Sequence, residues 1–140
     1  MNVQAFGKVA VLYGGLSSER PISLKSGKAV FDALIRQGCD AELVDVDANF
    51  LEQLANRRSG VNAWKCAFIV LHGVGGEDGV IQAALQLAGI PYTGSGVLAS
   101  ALGMDKWRTK QVWEAQHLAT PTYVLLNEDT DWQAAMKKLG

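Results

Sequence analysis

Apolar residues fall along this chain in two kinds of pattern: short runs with no polar alternation, and longer stretches with an apolar position every third or fourth residue. Lys8 to Tyr13, apolar after its first residue, predicts a strand buried on both faces. Pro21 to Gly38 repeats at helical spacing, with Ile22, Ser26, Ala29, Val30, Ala33 and Leu34 on one face and Gly38 as the stop. Ala41 to Val46 predicts a second strand, and Phe50, Leu51 and Leu54 a short helix reaching Arg57 and Arg58. Ser59 to Asn62 reads as a turn, and Cys66 to Leu71 as a third fully apolar strand. Val80, Ile81, Ala84, Leu85 and Leu87 form the next helical face, closed by Gly89.

Ile90 to Thr93 predicts a short fourth strand or edge segment, succeeded by a flexible Gly94-Ser95-Gly96 joint. One long helix is expected from Val97 to His117, then a β-rich stretch at Thr122 to Leu126 and a last helix around Trp132, Ala135, Met136 and Leu139. Strand and helix alternate three times before Gly94, the pattern of an α/β fold whose parallel sheet carries helices on both faces. The joint sets the expected boundary, with one domain over residues 1–95 and the beginning of a second over 96–140. The helix, strand and helix expected beyond the joint are too little for an independent core.

Composition narrows the partners. Of 140 residues, 49% are hydrophobic, enough for a packed core and against wholesale disorder. Thirteen basic and 14 acidic residues give a net charge of −1, which offers neither nucleic acid nor an anionic membrane a basic surface. No signal-peptide pattern opens the chain and no run approaches the ~20 apolar residues of a membrane span, so the expectation is a cytoplasmic protein. Cys39 and Cys66 lack metal-ligand spacing and read as small core residues.

Candidate chemistry gathers where strands end. Open α/β sheets bind ligands beyond the carboxyl ends of their strands. The first strand stops at Gly14-Gly15-Leu16-Ser17-Ser18-Glu19-Arg20, and the third at His72-Gly73-Val74-Gly75-Gly76-Glu77-Asp78-Gly79. Glu19 there either faces a bound amine or complements the dipole of the adjoining helix. Ser17 is a plausible N-cap, and the turn around Ser17 and Ser18 has the backbone groups to hold an anion. His72 either shares a pocket with Glu19 or bonds a loop carbonyl. Glu77 and Asp78 either orient His72 or cap the next helix, with capping the better fit for Asp78.

Asp45 and Asp47 close the second strand, where a dinucleotide fold keeps its ribose-binding acid, but the first loop lacks G-x-G-x-x-G and no P-loop is present. Lys106, Arg108 and Lys110 lie on one side of the long helix, the mark of a solvated face or a phosphate contact. Trp107 and Trp113 read as packing residues, and no metal set is visible.

Three stretches carry a family resemblance. Gly14 to Arg20 with Ser23-Leu24-Lys25-Ser26-Gly27 resembles the first-loop signature of the D-alanine–D-alanine ligases. Leu71 to Gly79 resembles their second, and Pro91 to Lys106, through Met104-Asp105-Lys106, a third. Pro21 stands where the family usually has a polar residue and Val74 where arginine is common.

The resemblance implies a Rossmann-like, pre-ATP-grasp domain that binds D-alanine, leading into the start of an ATP-grasp domain. It also implies ligation of two D-alanines through an acylphosphate, for peptidoglycan synthesis. Glu19 would bind the ammonium of the first D-alanine as the catalytic-site carboxylate, with His72, Ser17 and Ser18 around the same substrate, and Lys106 would reach the nucleotide phosphates. ATP and Mg2+, or Mn2+ in its place, would be held mainly by residues outside this chain. A homodimer is the implied assembly. The expectation is an N-terminal portion inactive on its own. The alternatives are a dinucleotide-binding domain of an oxidoreductase and a non-catalytic binding or dimerisation module.

Overall fold

The lack of polar alternation in the first strand has its reason in the computed structural model, which describes residues 3–140. Strand β1 (Val9–Tyr13) is the middle of a parallel sheet ordered β2-β1-β3, with β2 at Ala41–Asp45 and β3 at Cys66–Ile69. Val9 pairs with Ala41 on one side and Cys66 on the other, and Leu12 with Val44 and Ile69. Val9, Ala10, Val11 and Leu12 are all buried, as covering both faces requires.

On one face Ala10 and Leu12 join Val44, Trp64, Leu71 and Ile90 in a core closed by helices α2 (Phe50–Arg57) and α3 (Val80–Leu87). Those helices insert Phe50, Leu54, Ile81 and Leu85. Leu12 and Leu85 have no exposed surface, and burial of such a side chain contributes about 2 kcal/mol.

The other face is covered by helix α1 (Arg20–Arg36), and here the expected apolar stripe is displaced. Ile22 is 61% exposed and Ala29 is exposed, while the buried residues of α1 are Ser23 and Gly27. The reason is a close helix–sheet approach: a Cβ built on Gly27 would lie 2.4 Å from the Cβ of Tyr13. Large apolar side chains have no room on that line, so the helix packs through its small residues.

Helices α1 and α3 end as the glycines predict. In α1, Cys39 N–H donates to Leu34 O and Gly38 N–H to Ile35 O, with Gly38 at φ +80°. In α3, Ile90 and Gly89 donate to Leu85 and Gln86 in the same way. Both are Schellman closures, which use a residue in the left-handed region.

Three further expectations change. The fourth strand reduces to a single bridge between Tyr92 and Ala67. The long helix is two, α4 (Val97–Met104) and α5 (Lys106–Ala115). Asp105 is extended between them (ψ 91°) and its carboxylate accepts the Arg108 N–H, capping α5. That bond, then the Arg108 guanidinium, holds the Asp105 carboxyl below its ordinary value. The Thr122–Leu126 stretch is not a strand, because β-propensity without a neighbouring strand leaves its backbone bonds unmade. The last helix, α6 (Trp132–Leu139), forms as expected, with Asp131 accepting the Gln133 and Ala134 N–H groups.

The chain divides into two compact units, residues 1–101 and 102–140, a division that falls inside α4 a few residues after the glycine joint. Among the described residues, no helix is long and apolar enough to cross a membrane.

Helix α5 closes like the others but on a non-glycine: His117 takes φ +57° while Leu118 N–H donates to Trp113 O and His117 N–H to Glu114 O. A side chain in this conformation costs about 1 kcal/mol relative to glycine. His117→Gly is therefore expected to stabilise by about that amount, read as a raised denaturant midpoint at an unchanged slope.

Candidate functional site

The sheet's carboxyl edge is built from the loops after β1 and β3. Gly14 and Gly15 both adopt the left-handed region, φ +78° and +80°. The turn is crowded as well: a Cβ on Gly14 would lie 2.1 Å from Asp45 Oδ1. Glycine is required there on both counts.

The side chain crowding Gly14 belongs to a bidentate ion pair. Arg20 Nη1 and Nη2 donate to Asp45 Oδ1 and Oδ2 at 2.7 and 2.6 Å, and Nη1 also donates to Gly15 O at 3.1 Å. The Asp45 hydrogen bond raises the Arg20 guanidinium above its already high ordinary value. Arg20 thus braces the first loop against the end of β2. It also occupies the acid that a dinucleotide fold would spend on ribose. No local pattern around Arg20 signals this role, because its partner lies 25 residues away.

Ser17 is not the helix N-cap. That position is Glu19, and no side-chain oxygen caps the helix there. The Ser17 hydroxyl instead accepts the Glu19 N–H at 3.2 Å and donates to His72 O at 2.7 Å, joining the two loops directly. Pro21 lies in the first turn of α1, where its missing N–H costs nothing. Ser18 is exposed, and among the described residues its side chain makes no hydrogen bond.

Glu19 and His72 come to one place. Glu19 is exposed, and its carboxyl carbon lies 3.7 Å from where a Gly73 Cβ would be. Among the described residues its carboxylate takes no hydrogen bond or ion pair. The half-buried His72 has Nε2 3.4 Å from Ser26 Oγ, and the Ser26 hydroxyl already donates to Ile22 O at 2.9 Å.

Glu77 and Asp78 do not orient the imidazole. Glu77 accepts the Gly73 N–H at 2.7 Å. Asp78 accepts Gly75 N–H at 2.8 Å and Val80 N–H, in the first turn of α3, at 3.2 Å. Both carboxylates shape the loop that carries His72.

Beneath the two loops, on the side of α2 and α3, lies a cavity of about 320 Å³ walled by Gly15, Leu16, Phe50, Leu71, His72 and Ile81, among others. Its lining is mainly apolar, with Asp47 and His72 as its charged or titratable side chains. Lys106 begins α5 in the second unit with its side chain exposed. Among the described residues, no three or more His, Cys, Asp or Glu side chains cluster as a metal site. The groups here do not fit Mg2+.

Relatives point the same way as the loops. Residues 47–95 match the family model described as D-ala D-ala ligase N-terminus. The D-alanine–D-alanine ligase of Ectopseudomonas mendocina is 54% identical over 140 residues, covering all of this chain and 43% of the relative. That of Nitrosospira multiformis is 54% identical over 135 residues, 96% of this chain and 42% of the relative. The chain thus spans about two fifths of the length of the curated relatives it matches.

Among solved structures, the Bacillus anthracis D-alanine–D-alanine ligase complexed with ATP superposes with a TM-score of 0.74 at 28% identity, over 89% of this chain and 41% of that one. The Aeromonas hydrophila D-alanine–D-alanine ligase gives 0.74 at 28% identity, over 94% and 53%. By sequence and by fold, this chain matches the N-terminal region of the D-alanine–D-alanine ligases.

Proposed function

We propose that this chain supplies the first-D-alanine site of a D-alanine–D-alanine ligase, with Glu19 binding the substrate ammonium and His72 flanking it. One observation carries the reading: the Glu19 carboxyl carbon sits 3.7 Å from the Cβ position of Gly73, on a loop tied to it by the Ser17–His72 bond. An exposed carboxylate that meets no cation among the described residues, beside the loop that carries His72, is matched by an ammonium. Such a charge-assisted bond contributes roughly 1.5–3 kcal/mol.

In the proposed reaction the carboxylate of one D-alanine is activated at the expense of ATP. The amine of a second then attacks it, and phosphate leaves. Glu19 would hold the first substrate by its ammonium, leaving that substrate's carboxylate free to react. Ser17 and Ser18 would stand beside the same substrate, Ser17 also tying the two loops together. Lys106 would contact the nucleotide phosphates, a role supported by its exposure and by the family motif that contains it.

The same reading makes residues 1–95 a pre-ATP-grasp, D-alanine-binding domain and 96–140 the beginning of an ATP-grasp domain. Mg2+ or Mn2+ is held by groups elsewhere in the ligase, and the working protein is a cytoplasmic homodimer serving peptidoglycan synthesis.

Calorimetric titration of the chain tests the ligand class. Heat of binding is expected with D-alanine and none with NAD, since Asp45 is already paired with Arg20. Binding of NAD in preference to D-alanine would overturn the proposal.

A further inference from the structure

We infer that Ser23, in the second turn of α1, is a positioning residue that sets the gap between the two loops of the site. This rests on the proposed D-alanine site and adds to it the element that holds Glu19 and His72 at a working distance.

A serine inside a helix ordinarily returns its hydroxyl proton to the carbonyl one turn back. Ser26, three residues further on, does so, donating to Ile22 O at 2.9 Å. Ser23 does not. Its hydroxyl donates to Val70 O at 2.5 Å, 47 residues away, and accepts the Gly14 N–H at 2.9 Å. The side chain is fully buried, so both bonds form away from water.

The place of those two partners gives the bonds their meaning. In a parallel pair, evenly spaced rungs alternate between the strands. Val70 N–H donates to Leu12 O at 2.9 Å, and the next rung would run from Gly14 N–H to Val70 O. The Ser23 hydroxyl is inserted into that rung, accepting a hydrogen bond from the Gly14 N–H and donating one to Val70 O. The ends of β1 and β3 are therefore held apart by one oxygen atom. Gly14 opens the loop that carries Glu19, and Val70 stands two residues before His72.

A hydroxyl here is chemically specific. Alanine would leave a buried N–H and C=O either unpaired or pulled into a direct rung, and either outcome moves one loop against the other. Cysteine keeps the side-chain connectivity with a larger atom, and sulfur is a weak donor and acceptor with longer bonds. The test uses the 140-residue chain with Ser23→Ala and Ser23→Cys, far below the melting temperature. The His72 ring resonances and the dissociation constant for D-alanine are read by NMR, and the amide protection of Val9 to Leu12 reports the intact core.

Both variants are expected to shift the His72 ring signals and to weaken D-alanine by about tenfold, the size of one buried hydrogen bond, with the core amides still protected. A Ser23→Cys chain matching wild type in both readouts would show that the inserted oxygen does not set the gap, and would overturn the inference. If the alanine variant does not fold, the cysteine variant alone decides it. If the wild-type chain binds no D-alanine, the proposed function falls, and the His72 signals still decide the role of Ser23.

Discussion

Replacing Glu19 by glutamine in a ligase that carries this chain is expected to lower kcat/KM for the first D-alanine by about a hundredfold, with little change in melting temperature. The asymmetry comes from what Glu19 contributes to the fold. Its N–H bonds Ser17 Oγ, and its carbonyl accepts the Ile22 and Ser23 N–H groups. All of these are main-chain groups, and glutamine keeps them.

The carboxylate makes no hydrogen bond or ion pair among the described residues, so its loss removes only charge. A hundredfold loss corresponds to about 2.7 kcal/mol, within the range of a charge-assisted bond to an ammonium. An exposed substitution without structural duties changes stability by about 0.5 kcal/mol or less. Steady-state ADP release at varied D-alanine, beside a thermal melt, checks both halves. Near-normal turnover would return Glu19 to complementing the helix dipole.

The largest stability effect is expected at Gly27. Helix propensity alone favours Gly27→Ala by about 1 kcal/mol. Against it stands a new methyl 2.4 Å from Tyr13 Cβ and 3.0 Å from two atoms of its ring. The nearest of these is the root of the side chain, so relief requires α1 to lift from β1. Overpacking of this kind costs about 1–3 kcal/mol, and the close approach places it at the upper end. The net expectation is a loss of about 2 kcal/mol, read as a lower denaturant midpoint, together with weaker D-alanine binding because α1 begins at the site. A neutral or stabilising Gly27→Ala would show that the helix–sheet spacing is softer than the structure describes.

Local features of this chain are legible in its sequence, and features that act at a distance are not. Val9 to Leu12 announce the central strand because burial on both faces leaves no polar position. Glu19 and His72 are legible because each stands just beyond an apolar strand, in a glycine-rich loop. Ser23, Gly27 and Arg20 are not, since each acts through a partner distant in sequence: Val70, Tyr13 and Asp45.

The stripe of α1 is misplaced by periodicity for a related reason. Its buried line is small, whereas periodicity searches for large apolar side chains. The break at Asp105 is hidden because helical spacing continues across it, although an aspartate three residues before Arg108 is the available cap signal. Thr122 to Leu126 has β-forming residues but no strand beside it. In the site, the meeting of Glu19 and His72 accords with strand order, while Lys106 draws its role only from the family motif.

The most direct test of the central claim maps D-alanine onto the chain by amide NMR, which detects binding as weak as the millimolar range, about −4 kcal/mol. The expected shifts saturate with D-alanine, concentrate at Gly14 to Arg20 and His72 to Glu77, and vanish in Glu19→Gln. Saturating shifts that avoid both loops, or that persist unchanged in Glu19→Gln, would contradict a D-alanine site built on Glu19.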